Sequence, residues 1–282
     1  MLPRIWLVGD DPGVAARLEA RLTAAGRVCE RLDSAEAGLR LAGGLPDADC
    51  VVVDAGPGGQ ALDLLTPFRE AGFRVLLLVD AEDLPAVEAG LHAQVCCFLV
   101  KPCAEAMLEA VLACLPGGEG AAAAGNFPFR TLDDLGALSQ LVAGLCAAPE
   151  PVQLALFELM LNAVEHGNLG LGFARKAELE RRGEWRAEIG RLLDQPAQRA
   201  RFAWLHVEIR PQALRFVVCD RGRGFDPVRY LEPDPACPAA FSGHGIAIAR
   251  LLAFPGLRFH EGGRCVEGVV RRGDFHGFGA GG

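Results

Sequence analysis

Glu158, Asn162 and His166 recur at intervals of four within the largely apolar segment Phe157–Gly167. On a helix that interval sets all three on one face. A polar stripe on an apolar helix meets either water or a ligand. The Asn162 carboxamide oxygen can ligate a Mg²⁺ ion that bridges phosphates, and the Glu158 carboxylate one turn earlier can take a proton from a hydroxyl nucleophile. A solvated helix face closed by Gly167 as C-cap would show the same pattern. Two further segments suit the same ligand. Asp220-Arg221-Gly222-Arg223-Gly224-Phe225 follows an apolar strand-like run. A carboxylate there can accept the amino hydrogen of adenine, and the glycines at 222 and 224 let backbone approach the base; an ordinary Asp-x-Gly turn is the alternative. Ser242-Gly243-His244-Gly245 opens an apolar helical run, and amides at a helix N-terminus suit a triphosphate. No G-x-x-x-x-G-K-[ST] pattern occurs, which excludes a P-loop.

A second constellation lies earlier in the chain. Asp10 and Asp11 follow one strand-like run, Asp54 another, and Lys101-Pro102 a third. Carboxylates gathered at strand ends can hold Mg²⁺. A lysine beside them would neutralise a phosphoryl group on the central aspartate. Each Asp taken singly could instead cap the helix that follows it.

The elements that must position these residues fall into two sets. Residues 1–115 alternate five segments that read as buried strands (Ile5–Val8, Val28–Arg31, Cys50–Asp54, Val75–Val79 and Cys97–Val100) with helix-period segments such as Pro12–Ala25 and Ala104–Leu115. Such alternation predicts a parallel, doubly wound α/β sheet with ligands at the carboxyl ends of its strands. Residues 116–128, rich in Gly and Ala and bounded by Pro, read as a linker. Residues 129–275 read as a second domain, an α/β two-layer sandwich with helices near Leu132–Ala147 and Pro151–His166. A charged helical stretch over Phe173–Leu193 follows, then strands Trp204–Arg210 and Leu214–Cys219, a helix over Gly243–Ala253, and strands near Leu257–His260 and Cys265–Arg271. Residues 276–282 read as a tail. The segment from Asn168 to Phe202 looks like an insert: a solvated helix carrying its own ion pairs, or a docking element with Trp185 as its anchor.

Composition narrows the function classes. A net charge of −8 argues against a nucleic-acid surface, and 51% hydrophobic with 23% charged residues supports packed cores. No apolar run approaches the roughly 20 residues of a membrane span and no signal segment opens the chain, so a cytoplasmic protein is expected. The ten cysteines form no C-x-x-C pair. They read as buried, reduced hydrophobes rather than disulfides or zinc ligands.

Residues 3–115 resemble the receiver domain of two-component response regulators. The resemblance implies Asp54 as phospho-acceptor, Asp10 and Asp11 as metal-binding acids, Lys101 as the phosphate-facing lysine and Phe98 as the aromatic switch residue. One departure stands out: the family's Ser or Thr at the end of strand four is replaced by Asp80, and no Ser or Thr occurs between Thr66 and Thr131. Residues 130–272 resemble the GHKL ATPases, which link type II topoisomerases, histidine kinases and anti-sigma-factor serine kinases. The boxes stand in the family's order, and the form Glu-x-x-x-Asn-Ala-x-x-His-Gly of the first resembles that of the anti-sigma kinases most. This resemblance implies a Bergerat-type ATP-binding fold, ATP and Mg²⁺ as cofactors, and Glu158 as general base. Asn162, His166, Asp220, Gly222, Gly224, Gly243 and Gly245 would line the nucleotide site. It also implies an anti-sigma-factor antagonist and a sigma factor as partners, besides an upstream phosphodonor kinase for the receiver, and it leaves room for a homodimer. No histidine lies between His92 and His166, so the upstream phospho-acceptor of a histidine autokinase is missing. With six Ser and Thr residues in all, serine phosphorylation is expected on a partner. A nucleotide-gated binding module without kinase activity is the alternative.

Overall fold

Short runs of Val, Leu, Ile and Cys become the strands of two separate five-stranded sheets. The computed structural model describes residues 4–9, 11–42, 48, 50–56, 59–103, 107–108, 111–112, 124–210, 212–226, 244–271 and 273. It divides into two compact units, Met1–Phe127 and Pro128–Gly282.

In the first unit β1 (Ile5–Val8), β2 (Cys29–Leu32), β3 (Cys50–Asp54), β4 (Arg74–Asp80) and β5 (Cys97–Lys101) pair in parallel in the order β2-β1-β3-β4-β5. This is the flavodoxin-like doubly wound order. Helices α1 (Pro12–Ala24), α2 (Ser34–Ala42), α3 (Leu65–Glu70) and α4 (Leu84–His92) connect the strands. β1 and β3 are buried along their whole length because helices cover both faces, so they read as continuous apolar runs. Of the helix expected over 104–115, residues 107–108 and 111–112 are described, and they are helical and buried.

In the second unit β7 (Ala203–Arg210), β8 (Ala213–Cys219), β10 (Cys265–Arg271) and β9 (Arg258–His260) form an antiparallel run; the sheet's remaining strand, β6 (Ala124–Phe129), spans the chain boundary between the units and lies beyond β7. One sheet face is apolar, formed by Leu205, Val207, Leu214, Phe216 and Val218. The other carries Glu208, Arg215 and Glu267, with Arg215 to Glu267 at 2.9 Å and His260 to Glu267 at 3.0 Å. Period-two alternation of this kind marks a sheet with one solvated side. Helix α5 (Leu132–Ala143) starts in a capping box between Thr131 and Asp134. It packs on α6 (Pro149–Asn162), which also packs on α9 (His244–Leu252).

Four expectations are corrected. The linker expected over 116–128 overlaps β6, whose Asn-Phe-Pro-Phe end supplies the buried Phe127 and Phe129. The single charged helix is two, α7 (Phe173–Arg182) and α8 (Trp185–Leu193), broken where Gly183 turns left-handed at φ 69°. Trp185 is no exposed anchor: its ring is partly buried on Leu171, Leu179, Ile189 and Leu193. Cys219 and Cys265, opposed in register on β8 and β10, are joined in a disulfide, while the other six described cysteines are not disulfide-bonded. Closing a loop 46 residues long constrains the unfolded chain. Reduction is therefore expected to lower unfolding free energy by about 2–4 kcal/mol. Denaturant titrations with and without a dithiol reductant measure this, and alkylation of unreduced, unfolded protein should leave two cysteines unmodified. Among the described residues no helix is long and apolar enough to cross a membrane.

Candidate functional site

Glu158 and Asn162 occupy the last two turns of α6, facing the start of α9. A Cβ at Gly245 would lie 2.8 Å from Glu158 Oε2 and 2.9 Å from Asn162 Nδ2. Only glycine lets the α9 backbone come this close, so the first and third motifs meet. Gly243 and the side chain of His244 lie outside the described residues. Glu158 is half-buried, and burial pushes its carboxyl above the usual range, with Glu165 adding to the shift and Lys176 opposing it.

The helix does not stop at Gly167. It continues as a π-turn over Ala163–Asn168, a widening often found at functional sites. The turn carries Gly167 against Asp220, where an added Cβ would stand 2.3 Å from the carboxyl carbon. Gly167 is thus a close-approach residue rather than the C-cap of the alternative reading. Asp220 closes β8; its amide donates to the Arg264 carbonyl at 3.0 Å, and its Oδ1 accepts from the Gly222 amide at 2.6 Å. A Cβ at Gly222 would collide with the Gly167 carbonyl at 2.4 Å, and one at Gly224 (φ 75°) with the Gly262 carbonyl at 2.1 Å. Burial raises the Asp220 pKa, with the Gly222 amide and then Arg264 and Arg201 working the other way. The second motif is therefore locked onto the first.

Between them lies a cavity walled by Leu159, Phe173, Val218, Phe225 and Ile246. Its polar edge is Asn162, His166, Asp220 and Arg264, and Asp220 is the one carboxylate among its described lining residues. An apolar slot with few, convergent polar groups suits a flat heterocycle. Glu158 is not part of this wall; it lies by Gly245, at the α9 end of the site. His166 is partly buried, donates Nδ1–H to the Leu171 carbonyl, and rests 4.1 Å from the Phe173 ring. Burial lowers its pKa, so the ring is neutral near pH 7 and keeps an acceptor at Nε2.

Sequence reasoning passed over Glu165, which is fully buried beside His166 and accepts from Lys176 Nζ at 2.6 Å and from Trp185 Nε1. Asn168, whose Oδ1 accepts from the Arg221 amide at 2.9 Å, and Arg264 were also missed. A carboxylate amid Ala-Val-x-His was the available signal, but only burial shows that it must be paired.

In the first unit Asp54 is 4% exposed at the end of β3. Lys101 Nζ lies 2.7 Å from Asp54 Oδ1 and 3.1 Å from Asp80 Oδ2. Burial opposes the Lys101 cation, yet the two carboxylates outweigh it and its pKa is raised. Asp11 caps α1, accepting from Gly13 and Val14 amides at 2.7 and 3.1 Å, and those amides lower its pKa. Asp10 lies outside the described residues. Among the described residues no three acidic, His or Cys side chains are grouped to hold a metal ion. Phe98 is wholly inside the core, where a Cβ at Gly90 would stand 2.5 Å from its ring.

No protein-family model and no curated protein matches the chain. Similar solved structures include a candidate response regulator of Chloroflexus aurantiacus, 27% identical over 40% of this chain and 99% of that one, TM-score 0.35. Chemotaxis protein CheY4 of Vibrio cholerae is 17% identical over 41% of this chain and 100% of its own, TM-score 0.36. The receiver domain of a signal transduction histidine kinase of Syntrophus aciditrophicus is 24% identical over 43% and 94%, TM-score 0.35.

Proposed function

We propose that the second unit is a Bergerat-type ATP-binding module that phosphorylates a serine of a partner resembling an anti-sigma-factor antagonist, under control of a receiver-type first unit. The observation that carries this reading is the interlock of three sequence-distant motifs around one cavity: Gly245 on Glu158 and Asn162, and Gly167 and Gly222 on Asp220. In it, Asp220 accepts from the exocyclic amine of adenine, and the apolar wall covers the ring. His166 edges the same cavity, and Gly222 and Gly224 let the backbone close around it. Gly245, in the first turn of α9, opens that helix toward the phosphates, and Glu158 takes the proton of the incoming serine hydroxyl. Glu158 and Asn162 stand together at the start of α9, and a carboxylate beside a carboxamide oxygen is the oxygen donor set that a phosphate-bound cation prefers. Asn162 would hold Mg²⁺, which would offset phosphate charge.

A pull-down of partners, followed by incubation with ATP and Mg²⁺ and intact-mass measurement of each bound protein, tests the proposal. A partner gaining one phosphate supports it. Nucleotide-dependent capture with unchanged partner mass supports instead a gated sequestering module, with a sigma factor among its candidate partners.

For the first unit, the Asp80–Lys101 ion pair supports an atypical input. Asp80 supplies the lysine's second anion, so a phosphoryl dianion on Asp54 enters an already acidic pocket. With a small phosphodonor and Mg²⁺, wild-type protein is expected to take up little phosphate, and Asp80→Thr to raise the initial rate about tenfold. Equal, stoichiometric uptake by both proteins would show that Asp80 is no obstacle.

A further inference from the structure

Glu165 is a fully buried carboxylate that makes no direct contact in the proposed phosphotransfer. Both of its oxygens are engaged by the insert: Oε2 by Lys176 Nζ at 2.6 Å and Oε1 by the Trp185 indole N–H. Its own carbonyl accepts from the Leu171 amide at 2.7 Å. Lys176 is itself mostly buried, with Glu180 at 3.9 Å and the Trp185 ring centroid at 5.7 Å. The hairpin of α7 and α8 has its own small apolar core. Leu132 packs on that core and Arg130 donates to the Leu193 carbonyl at 2.8 Å, which holds the α8 end, while Lys176 on Glu165 holds the start of α7 to the π-turn. Lys176 lies one turn after Phe173 on α7, so pinning one fixes the other. Phe173 in turn stands 4.1 Å from His166 and forms one wall of the cavity.

We infer that Lys176, acting through Glu165, is a positioning residue that sets Phe173 as the side wall for the nucleotide base, making the insert part of the base pocket rather than a solvated appendage. The inference rests on the nucleotide reading above and adds a claim that reading does not need. It separates the two ends of the site. Asn162, Gly245 and Glu158 serve the phosphates at the α9 end, and the hairpin serves only the ring.

Lys176→Met alone leaves a buried, unpaired carboxylate and can unfold the protein. The informative variant is the pair Glu165→Gln with Lys176→Met, which keeps both side-chain lengths and an oxygen acceptor for the Trp185 indole. Calorimetric titrations of the full chain with ATP and, separately, with inorganic tripolyphosphate are compared, alongside Phe173→Ala and Lys176→Arg. Loss of an ordered aromatic wall is expected to weaken ATP about tenfold. Tripolyphosphate binding should be unchanged, Phe173→Ala should match the pair, and Lys176→Arg should bind ATP like wild type. Equal ATP affinity in wild type and the double variant overturns the positioning role while leaving the nucleotide reading intact. A parallel loss of ATP and tripolyphosphate overturns it too, since that marks a general structural effect. A wild-type protein that binds neither ligand overturns the nucleotide reading and this inference with it.

Discussion

Glu158→Ala is expected to bind ATP within a fewfold of wild type while phosphoryl transfer to the partner falls by a factor of about 10²–10⁴. The two effects separate because Glu158 is outside the cavity wall that would hold the base and lies instead beside Gly245. Burial, reinforced by Glu165, raises its pKa, which makes it a stronger base than a solvated carboxylate. The sign of the pH dependence follows. The carboxylate form is active, so activity is lost as pH falls through the raised pKa, and the acid limb lies above the ordinary value of 4.5. Glu158→Gln preserves the contact with Gly245 and isolates the proton-accepting role. Its stability at pH 7 should be no lower than wild type, because a carboxylate with a raised folded-state pKa favours the folded state only when protonated. Partner phosphorylation at the wild-type rate in Glu158→Gln would remove Glu158 from the chemistry.

Much of this arrangement was written in residue order, and some of it was not. The strand ends at Asp54, Lys101 and Asp220 could be read directly, because the apolar runs Cys50–Val53, Val95–Val100 and Phe216–Cys219 each stop at a charge. The Asp80–Lys101 contact needed the parallel register that sets those two residues opposite each other. Asp11 was ambiguous as a ligand, yet Asp-Pro-Gly is also the pattern of an N-cap followed by proline at N1, and capping is the role it takes. β6 was hidden by the Gly- and Ala-rich residues before it and by its own proline, which edge strands tolerate. The disulfide joins residues 46 apart, a pairing that only the β8–β10 register reveals. Glu165 shows the limit most clearly. A helix pattern cannot say whether a carboxylate meets water or an indole and an ammonium, and here the partners come from a segment first read as solvent-exposed.

Asp220→Ala is expected to weaken ATP binding by a factor of about 100 or more, since removing one partner leaves a buried donor unsatisfied. Asp220 is the one carboxylate among the described cavity residues, and it is fixed from three sides. Its amide is held by the Arg264 carbonyl at 3.0 Å, its Oδ1 accepts from Gly222 at 2.6 Å, and Gly167 leaves no room for it to swing. The raised pKa reports partial burial, which strengthens any hydrogen bond it accepts. Asp220→Asn separates shape from chemistry. The amide oxygen can keep the Gly222 contact, which turns Nδ2 toward the ligand and sets donor against the adenine amine. A guanine carbonyl would meet that donor favourably, so Asp220→Asn should lose ATP about as severely as Asp220→Ala while gaining affinity for GTP. Competition titrations of both nucleotides against a fluorescent ATP analogue read the change directly. An Asn variant that keeps wild-type preference for ATP would mean that Asp220 holds the turn and does not read the base.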